Sequence, residues 1–386
     1  MEHIIHYGRQ EITKEDIESV SSVLKSDYIT QGPVSKIFEK DFADYIGSKY
    51  AVAVSNGTAA LHLSAMALDV SKGNKVITSP LTFAASANCV LYCGGEITFV
   101  DIDPKSLCID LNRVEDILRK NSDNNIKGII PVDFAGYPVN TEDTRSLADK
   151  YALWILEDTC HAPGASFTDS RGIQQKSGNG EFSDLSIFSF HPVKHITTGE
   201  GGMITSNNRE KIEKIEKLRI HGVTKRPDQL IEKDEGGWYY EMQDLGYNYR
   251  ITDFQCALGI SQLTRADKSL KRRQKIANRY LEAFSDYDFI KMTTVPENIT
   301  HAWHLFVIQI PRRRDLYNYL KENGIFTQVH YIPVHLQPYY KNLGWKKGDF
   351  PITENYYEHC LSLPMYPSLK EEEQEYVITK VKEFFG

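Results

Sequence analysis

Between residues 50 and 205, short apolar runs alternate with segments that have the hydrophobic spacing of helices. This alternation constrains the fold most, because strands that alternate with helices form an α/β domain with a largely parallel sheet. In such a sheet, ligands bind beyond the carboxyl ends of the strands. Helical patterns lie at 58–68 and 84–93. The seven strand candidates are 50–54, 75–78, 96–100, 128–132, 153–157, 185–190 and 202–205.

The chain has 386 residues, more than one small core usually organises, so we expect two domains. We place a large domain at 1–255 and a smaller α/β domain at 256–386. A long helix that begins near Thr252 and runs, with a break, to about Phe284 leads into the second domain. That domain has strand candidates at 305–310 and 326–330 and a terminal helix from about Lys370. The polar, glycine-rich stretch 168–183 is expected to be a loop or a short hairpin.

The composition excludes several classes of protein. The formal net charge is −7, whereas proteins that bind nucleic acid usually carry a basic surplus. No apolar stretch approaches the roughly 18 residues of a membrane helix, and the first residues lack the apolar core of a signal peptide. The six cysteines form no CxxC pair, which argues against a disulfide scaffold and a metal site. We therefore expect a cytoplasmic protein with no nucleic-acid, membrane or metal partner.

The segment SNGTAAL (55–61) lies at the junction of a predicted strand and a predicted helix. Small residues such as Gly57 let the backbone approach a ligand, and the free N–H groups of a helix start favour an anion. Thr58 adds a hydroxyl group. A plain helix cap is the alternative, because Ser, Asn and Thr are preferred there in any protein.

Two further segments place polar residues at the same edge of the sheet. In EDTCHA (157–162), Asp158 ends an apolar strand, where an acid can keep a pyridine nitrogen protonated, and His161 follows three residues later. In SFHPVKHITTGEGG (189–202), Lys194 follows an apolar strand in a tight segment, as a Schiff-base lysine requires. Ser189 offers a hydroxyl group to a phosphate. The alternatives are that Asp158 caps a helix, that His161 is an ordinary loop histidine and that Lys194 is a surface lysine.

With these segments, the chain resembles the DegT/StrS family of sugar aminotransferases over nearly its whole length. The motifs that carry the resemblance are TQG (30–32), SNGTAAL (55–61), PLTFAASAN (80–88), EDTCHA (157–162), SFHPVKHITTGEGG (189–202), GYNYR (246–250), QCALGISQL (255–263) and HYIPVHLQPYY (330–340). The resemblance implies pyridoxal 5′-phosphate (PLP) as cofactor. It also implies the aspartate-aminotransferase-like fold of type I PLP enzymes, which has a large, mostly parallel seven-stranded sheet domain and a smaller C-terminal α/β domain.

The resemblance assigns roles around the cofactor. Lys194 is the catalytic residue, which binds the cofactor covalently and then moves the proton. Asp158 pairs with the pyridine nitrogen, His161 contacts the oxygen substituent of the ring, and Phe83 stacks on the ring. The residues implied to hold the phosphate are Gly57, Thr58, Ser189 and, from a neighbouring subunit of a homodimer with shared active sites, Asn248.

The resemblance also implies a substrate site lined by Tyr7, Thr30, His330 and Tyr331, although packed aromatics are the alternative for the two tyrosines. The forms SFHPVK (189–194) and QVHY (328–331) look most like the branch of the family that serves pseudaminic acid biosynthesis. This branch moves an amino group from L-glutamate to C4 of a UDP-linked 4-keto-6-deoxy-N-acetylhexosamine of the L-altro type. We expect three further histidines to be packing residues: His301, His304 and His335.

Three alternatives stay open at this point. The same chemistry could serve a dTDP- or GDP-linked sugar at C3 or C4, a cyclitol, or an elimination. His191 and His195 depart from the common family pattern beside Lys194 and leave the exact sugar open. A non-catalytic PLP-binding regulator is the second alternative. A dinucleotide oxidoreductase is disfavoured, because no GxGxxG follows an early strand.

Overall fold

The computed structural model describes residues 4–232 and 235–386. They form a seven-stranded sheet in the order β1-β9-β8-β5-β4-β2-β3, which confirms the predicted α/β fold and all seven strand candidates. The strands of this sheet are β1 (Tyr50–Val54), β2 (Lys75–Thr78), β3 (Glu96–Phe99), β4 (Ile126–Ile130), β5 (Trp154–Asp158), β8 (Leu185–Ser189) and β9 (Gly202–Ser206).

The direction of the strands brings the predicted site together. Strands β3, β2, β4, β5 and β8 are parallel, and β9 lies antiparallel between β8 and β1. Because β1 therefore runs in the same direction as β8, the carboxyl ends of β1, β5 and β8 lie at one edge of the sheet. Asp158 is in register with Ile187 on the neighbouring strand, two residues before Ser189.

Helices cover both faces of the sheet, as expected where apolar strands must be buried on both sides. In α5 (Leu111–Lys120), Val114 and Leu118 lie four residues apart and are buried, and Asp110 caps the first turn. The helices of this part are α1 (Lys14–Leu24), α2 (Pro33–Ile46), α3 (Gly57–Ala67), α4 (Ala85–Tyr92), α5 (Leu111–Lys120), α6 (Thr141–Lys150) and α7 (Arg209–Leu218).

Short antiparallel ribbons lie beside the main sheet. The polar connector contains the hairpin of β6 (Ser166–Thr168) and β7 (Gln174–Lys176), which confirms the hairpin expected there. A C-terminal strand, β13 (Ile299–Thr300), pairs with β6 and ties the two halves of the chain together. Strands β10 (Val223–Thr224) and β11 (Glu241–Met242) form a separate pair.

The predicted long helix is two helices, α8 (Asp253–Leu263) and α9 (Ala266–Phe284), with the expected break between them. Helix α8 packs against α1 and α2, whereas Ile276, Tyr280 and Phe284 of α9 belong to a second hydrophobic core. The domain division at 255 and 256 stays a prediction. The further helices are α10 (Arg313–Glu322), α11 (Pro338–Asn342), α12 (Pro351–His359) and α13 (Glu371–Phe385), the last being the expected terminal helix.

The C-terminal sheet differs from the prediction. It consists of β12 (Lys291–Met292), β14 (Phe306–Gln309) and β15 (Cys360–Leu363), so the strand candidate at 305–310 is confirmed. The candidate at 326–330 is wrong, because that segment makes a single bridge, between Gln328 and Ser362. Beyond this bridge the segment does not continue along β15, and residues 328 to 332 line a cavity. No helix in the described part of the chain has both the length and the apolar character of a transmembrane span.

Candidate active site

A cavity of about 690 Å³ opens at the carboxyl edge of the large sheet. Residues from the start of α3 and the ends of β5 and β8 meet there with the segment that follows β14 and α10, so both halves of the chain contribute to its wall. The cavity is lined by ten of the twelve residues predicted for the site: Tyr7, Gly57, Thr58, Phe83, Asp158, His161, Ser189, Lys194, His330 and Tyr331.

The carboxylate of Asp158 is buried and held by two hydrogen bonds. The Ser86 hydroxyl donates to Oδ2 at 2.6 Å, and the Cys160 N–H donates to Oδ1 at 3.2 Å. Because the Ser86 proton is used in this way, the Thr82 hydroxyl, 2.7 Å from Ser86 Oγ, must be the donor of that contact. The chain of hydroxyl groups fixes the orientation of Asp158, and each carboxylate oxygen retains a lone pair for a further donor.

Lys194 follows β8 in a tight turn, in which its N–H donates to the carbonyl oxygen of His191 at 2.8 Å. Burial lowers the pKa of its amine below the usual value of a lysine, and the positive charge of Arg273 acts in the same direction. The acidic groups of Cys160 and Asp158 oppose this shift without cancelling it. The Lys194 amine is therefore more readily neutral, and hence nucleophilic, than that of a surface lysine.

His161 is a neutral imidazole with a defined tautomer. Burial, followed by the charge of Lys194, holds its pKa well below the usual value. Its Nδ1 accepts a hydrogen bond from the Ala135 N–H at 3.3 Å, so the ring proton is on Nε2, which lies 3.2 Å from the Tyr331 hydroxyl. Burial also raises the pKa of Tyr331, so its hydroxyl stays protonated.

An anion cradle lies at the start of α3. Gly57 is the first residue of this helix, and the first N–H groups of a helix have no partner within it. A Cβ atom on Gly57 would lie 3.0 Å from the Cβ atom of Ser189, a tight contact that glycine avoids where helix and strand approach closely. The hydroxyl groups of Thr58 and Ser189 line the same cavity. This arrangement suits a phosphate.

Aromatic residues surround the mouth of the cavity. Phe83 is 61% exposed, and its ring lies 6.1 Å from that of Tyr331. The Tyr7 ring lies 5.3 Å from that of His330, whose Nδ1 is 2.8 Å from the Ser362 hydroxyl. Such exposed rings at a concave site can pack against a flat ligand.

Two predicted residues do not line this cavity. Thr30 forms a bridge with Thr252, and Asn248 forms one with Ile220. The segment around Asn248 is tied to the start of α3, because the Ser55 N–H donates to the carbonyl oxygen of Tyr249 at 2.8 Å. Within one chain, neither side chain reaches the residues around Lys194, and the predicted roles of both stay predictions.

The model of the DegT/DnrJ/EryC1/StrS aminotransferase family matches residues 10–382. The chain belongs to this family. Among relatives, the spore coat polysaccharide biosynthesis protein SpsC of Bacillus subtilis is 38% identical, with 99% of this chain and 97% of that protein covered. The UDP-4-amino-4,6-dideoxy-N-acetyl-beta-L-altrosamine transaminase of Campylobacter jejuni is 36% identical, with 97% and 96% covered.

Solved structures agree with the family assignment. Helicobacter pylori PseC, described as an aminotransferase of pseudaminic acid biosynthesis, superposes with a TM-score of 0.89 at 30% identity and covers 99% of both chains. The fold is thus that of the type I PLP-dependent aminotransferases. The chain is a PLP-dependent sugar aminotransferase.

The residues of the cavity fit this cofactor. The cradle at Gly57 leaves room for a phosphate where a side chain would crowd Ser189. Lys194 offers an amine with a lowered pKa, and Asp158 retains lone pairs for a protonated ring nitrogen. These features lie in one cavity of sufficient volume for a cofactor and a substrate.

Sequence reasoning missed several residues of the site. Ser86 lay within a quoted motif, yet its contact with Asp158 joins residues 72 positions apart and leaves no local signal. The expectation that His304 only packs was incomplete, because it also lines the cavity. His301 and His335 do act as packing residues. His301 accepts from the Trp303 N–H at 2.8 Å, and His335 lies 3.0 Å from Glu354. His191 lines the cavity and His195 lies behind it.

Proposed function

We propose that this enzyme transfers an amino group from L-glutamate to C4 of a UDP-linked 4-keto-6-deoxy-N-acetylhexosamine of the L-altro type, in pseudaminic acid biosynthesis. The observation that carries the proposal is the meeting of Lys194, Asp158 and the anion cradle in one cavity. The specific sugar is supported by the Campylobacter transaminase and by PseC, which resemble this chain over almost its full length.

The proposed cofactor contacts are supported by the lining of the cavity and, for Asn248, by the family resemblance alone. Gly57, Thr58 and Ser189 bind the phosphate, joined by the partner subunit's Asn248. Asp158 binds the pyridine nitrogen and Lys194 the aldehyde carbon. His161 contacts the oxygen substituent of the ring, and Phe83 covers one face of the ring. Tyr7, Thr30, His330 and Tyr331 are the proposed contacts of the sugar nucleotide.

When bound, PLP supplies an electron sink that stabilises negative charge on the carbon next to the transferred nitrogen. The protein controls the proton. The Nζ atom of Lys194, freed when the amino donor enters, takes the proton from the α-carbon of the donor. In the second half of the reaction the same atom delivers a proton to C4 of the sugar. A lowered pKa suits both steps, because Nζ must alternate between base and acid.

A second candidate substrate has support of its own. SpsC, named for spore coat polysaccharide biosynthesis, is slightly more similar to this chain than the Campylobacter transaminase, at 38% against 36% identity. A different nucleotide-linked keto sugar, carried by dTDP or GDP, is therefore the alternative substrate for the same chemistry. A PLP-binding regulator without turnover is the alternative outside catalysis.

A substrate panel tests the proposal. Purified enzyme with PLP and L-glutamate is incubated with UDP-, dTDP- and GDP-linked 4-keto-6-deoxy sugars, and the amino sugars are measured by mass spectrometry. We expect turnover with the UDP-N-acetyl-L-hexosamine, and turnover confined to dTDP sugars would contradict it. With glutamate alone, an aminotransferase releases 2-oxoglutarate in an amount that matches its active sites, whereas a regulator releases none. The Lys194→Ala variant is the control.

A further inference from the structure

A short C-terminal segment enters the floor of the active-site cavity. The Ala302 N–H donates to the carbonyl oxygen of Gly136 at 2.8 Å, and the Leu305 N–H donates to that of Ala135 at 3.2 Å. Gly136 has a φ of +101°, and a Cβ atom there would lie 2.8 Å from the backbone nitrogen of Trp303. The turn that carries Ala135, which binds His161, is thus locked to this segment.

Arg273 of α9 holds the other side of the same segment. Its guanidinium is buried, and Nη1 donates to the carbonyl oxygens of Trp303, His304 and Met365 at 3.2, 3.3 and 3.1 Å. No carboxylate of residues 4–232 and 235–386 forms an ion pair with it. Burial lowers the pKa of Arg273 to about 9. An unpaired buried cation destabilises a fold, and here the hydrogen bonds to the backbone of the segment offset part of that cost.

The segment presents the ring of His304 to the ring of His161. The two ring centroids are 4.3 Å apart with an interplanar angle of 35°, and His304 also lies 5.7 Å from His195. His304 is buried, and its Nδ1 has no hydrogen-bond partner among the described residues. The Nδ1 atom therefore makes no hydrogen bond within this part of the chain, and the ring contacts His161 while it also lines the cavity.

His161 depends on such a contact for its orientation. Its two hydrogen bonds, to the Ala135 N–H and the Tyr331 hydroxyl, are long, at 3.3 and 3.2 Å. A rotation of the ring would move the Nε2 proton away from Tyr331. If His161 donates to the Tyr331 oxygen, the hydroxyl proton of Tyr331 is free to point into the cavity.

We propose that His304 and Arg273 are positioning residues that act through His161. Arg273 fixes the backbone at 303–304, and the ring of His304 holds the His161 imidazole so that Nε2–H donates to Tyr331 and the Tyr331 proton faces the substrate. This inference rests on the proposed roles of His161 and Tyr331 in the aminotransferase.

The tautomer of His161 in the cofactor-free protein gives a readout that needs neither substrate nor turnover. In protein labelled with ¹⁵N-histidine, the wild type is expected to show one fixed Nε2–H form, assigned by the loss of its signals in His161→Asn. In His304→Ala the two ring nitrogens are expected to move towards averaged shifts. In His304→Phe, which keeps a flat ring at this place, the fixed form is expected to remain.

Kinetics of the PLP-loaded enzyme provide the second readout. We expect His304→Ala to lower kcat about 10- to 100-fold with little change in KM for the donor, since a misplaced group loses about this much. His304→Phe should retain most of kcat. His335→Ala is the control, because it removes another buried histidine that lies outside the cavity and bonds to Glu354.

A fixed Nε2–H form in His304→Ala, or the same averaging in His335→Ala, would overturn the proposal. If His304→Ala fails to fold, the Arg273→Met variant provides the test of the proposal. It keeps much of the side-chain volume while removing the donors, and it should average the His161 shifts in a folded protein. Unchanged ¹⁵N shifts of the His161 ring in that variant would also contradict the proposal. Failure of the amination assay with intact NMR results would contradict the proposed function alone.

Discussion

At the residue scale, the site is built from pairs in which one side chain sets the state of another. Ser86 and the Cys160 N–H orient Asp158, and burial lowers the pKa of the Lys194 amine. That Lys194, Asp158 and His161 lie in one cavity could be predicted from the sequence, because each ends or follows a recognisable strand in a known motif. Ser86 and His304 could not be assigned roles, because their partners lie on elements that are distant in the sequence.

The hydrogen bond between Ser86 and Asp158 predicts a kinetic effect. Ser86→Ala removes a donor from a buried carboxylate, which is worth about 1.5–3 kcal/mol for a charged group. We expect the rate of the half-reaction with glutamate to fall about 10- to 100-fold. Stopped-flow absorbance of the bound cofactor measures the rate of this half-reaction. Ser19→Ala, which loses a bond to the carbonyl oxygen of Ala257 far from the cavity, is the control and should react at the wild-type rate.

At the scale of elements, the start of α3 and the end of β8 form the anion cradle. Because hydrogen bonds to phosphate are charge-assisted, Ser189→Ala should weaken PLP binding about 10-fold or more. Fluorescence titration of the cofactor-free protein measures the dissociation constant. Ser170→Ala, at an exposed hydroxyl that binds Glu142, is the matched control. Equal affinities in the two variants would show that Ser189 does not hold the phosphate.

The elements also show where sequence reasoning reaches its limit. The strands of the large sheet were predictable because both faces are buried, so each reads as an apolar run. The break between α8 and α9 was expected as well. The segment 326–330 resembles a strand in composition, yet Gln328, Val329 and His330 line the cavity and only Gln328 pairs with a strand. Such a segment is decided by tertiary packing and not by its own pattern.

At the scale of the whole molecule, buried histidines link folding to pH. Burial lowers the pKa of His301 and of His330 to about 3, below the value of about 6.5 expected in the unfolded chain. Between these values the unfolded chain binds more protons, so each histidine lowers the free energy of unfolding as the pH falls. Buried Glu157, whose pKa is raised to about 7, acts in the opposite direction.

Replacing one of these histidines measures its contribution to the pH dependence of the free energy of unfolding. In His301→Gln, the loss of unfolding free energy between pH 6 and pH 5 should be smaller than in the wild type by about 1 kcal/mol. Urea unfolding at the two pH values, followed by circular dichroism, measures the difference. An equal loss in both proteins would mean that His301 is not held neutral by burial.

The proposed homodimer predicts complementation between two inactive variants. Lys194→Ala lacks the catalytic amine, and Asn248→Asp places a carboxylate against the proposed phosphate of the partner subunit's cofactor, which repels it. Refolding the two together creates mixed dimers in which one site has both natural residues. Random pairing should restore about a quarter of the wild-type activity. A mixture that stays as inactive as its components would contradict shared active sites.

The covalent attachment of the cofactor tests the central claim most directly. Purified enzyme is loaded with PLP and reduced with borohydride, and its peptides are analysed by mass spectrometry. We predict that the added mass of the reduced cofactor is found on the peptide that contains Lys194, and that the Lys194→Ala variant carries none. A protein without an adduct, or with its adduct on another lysine, would contradict the account.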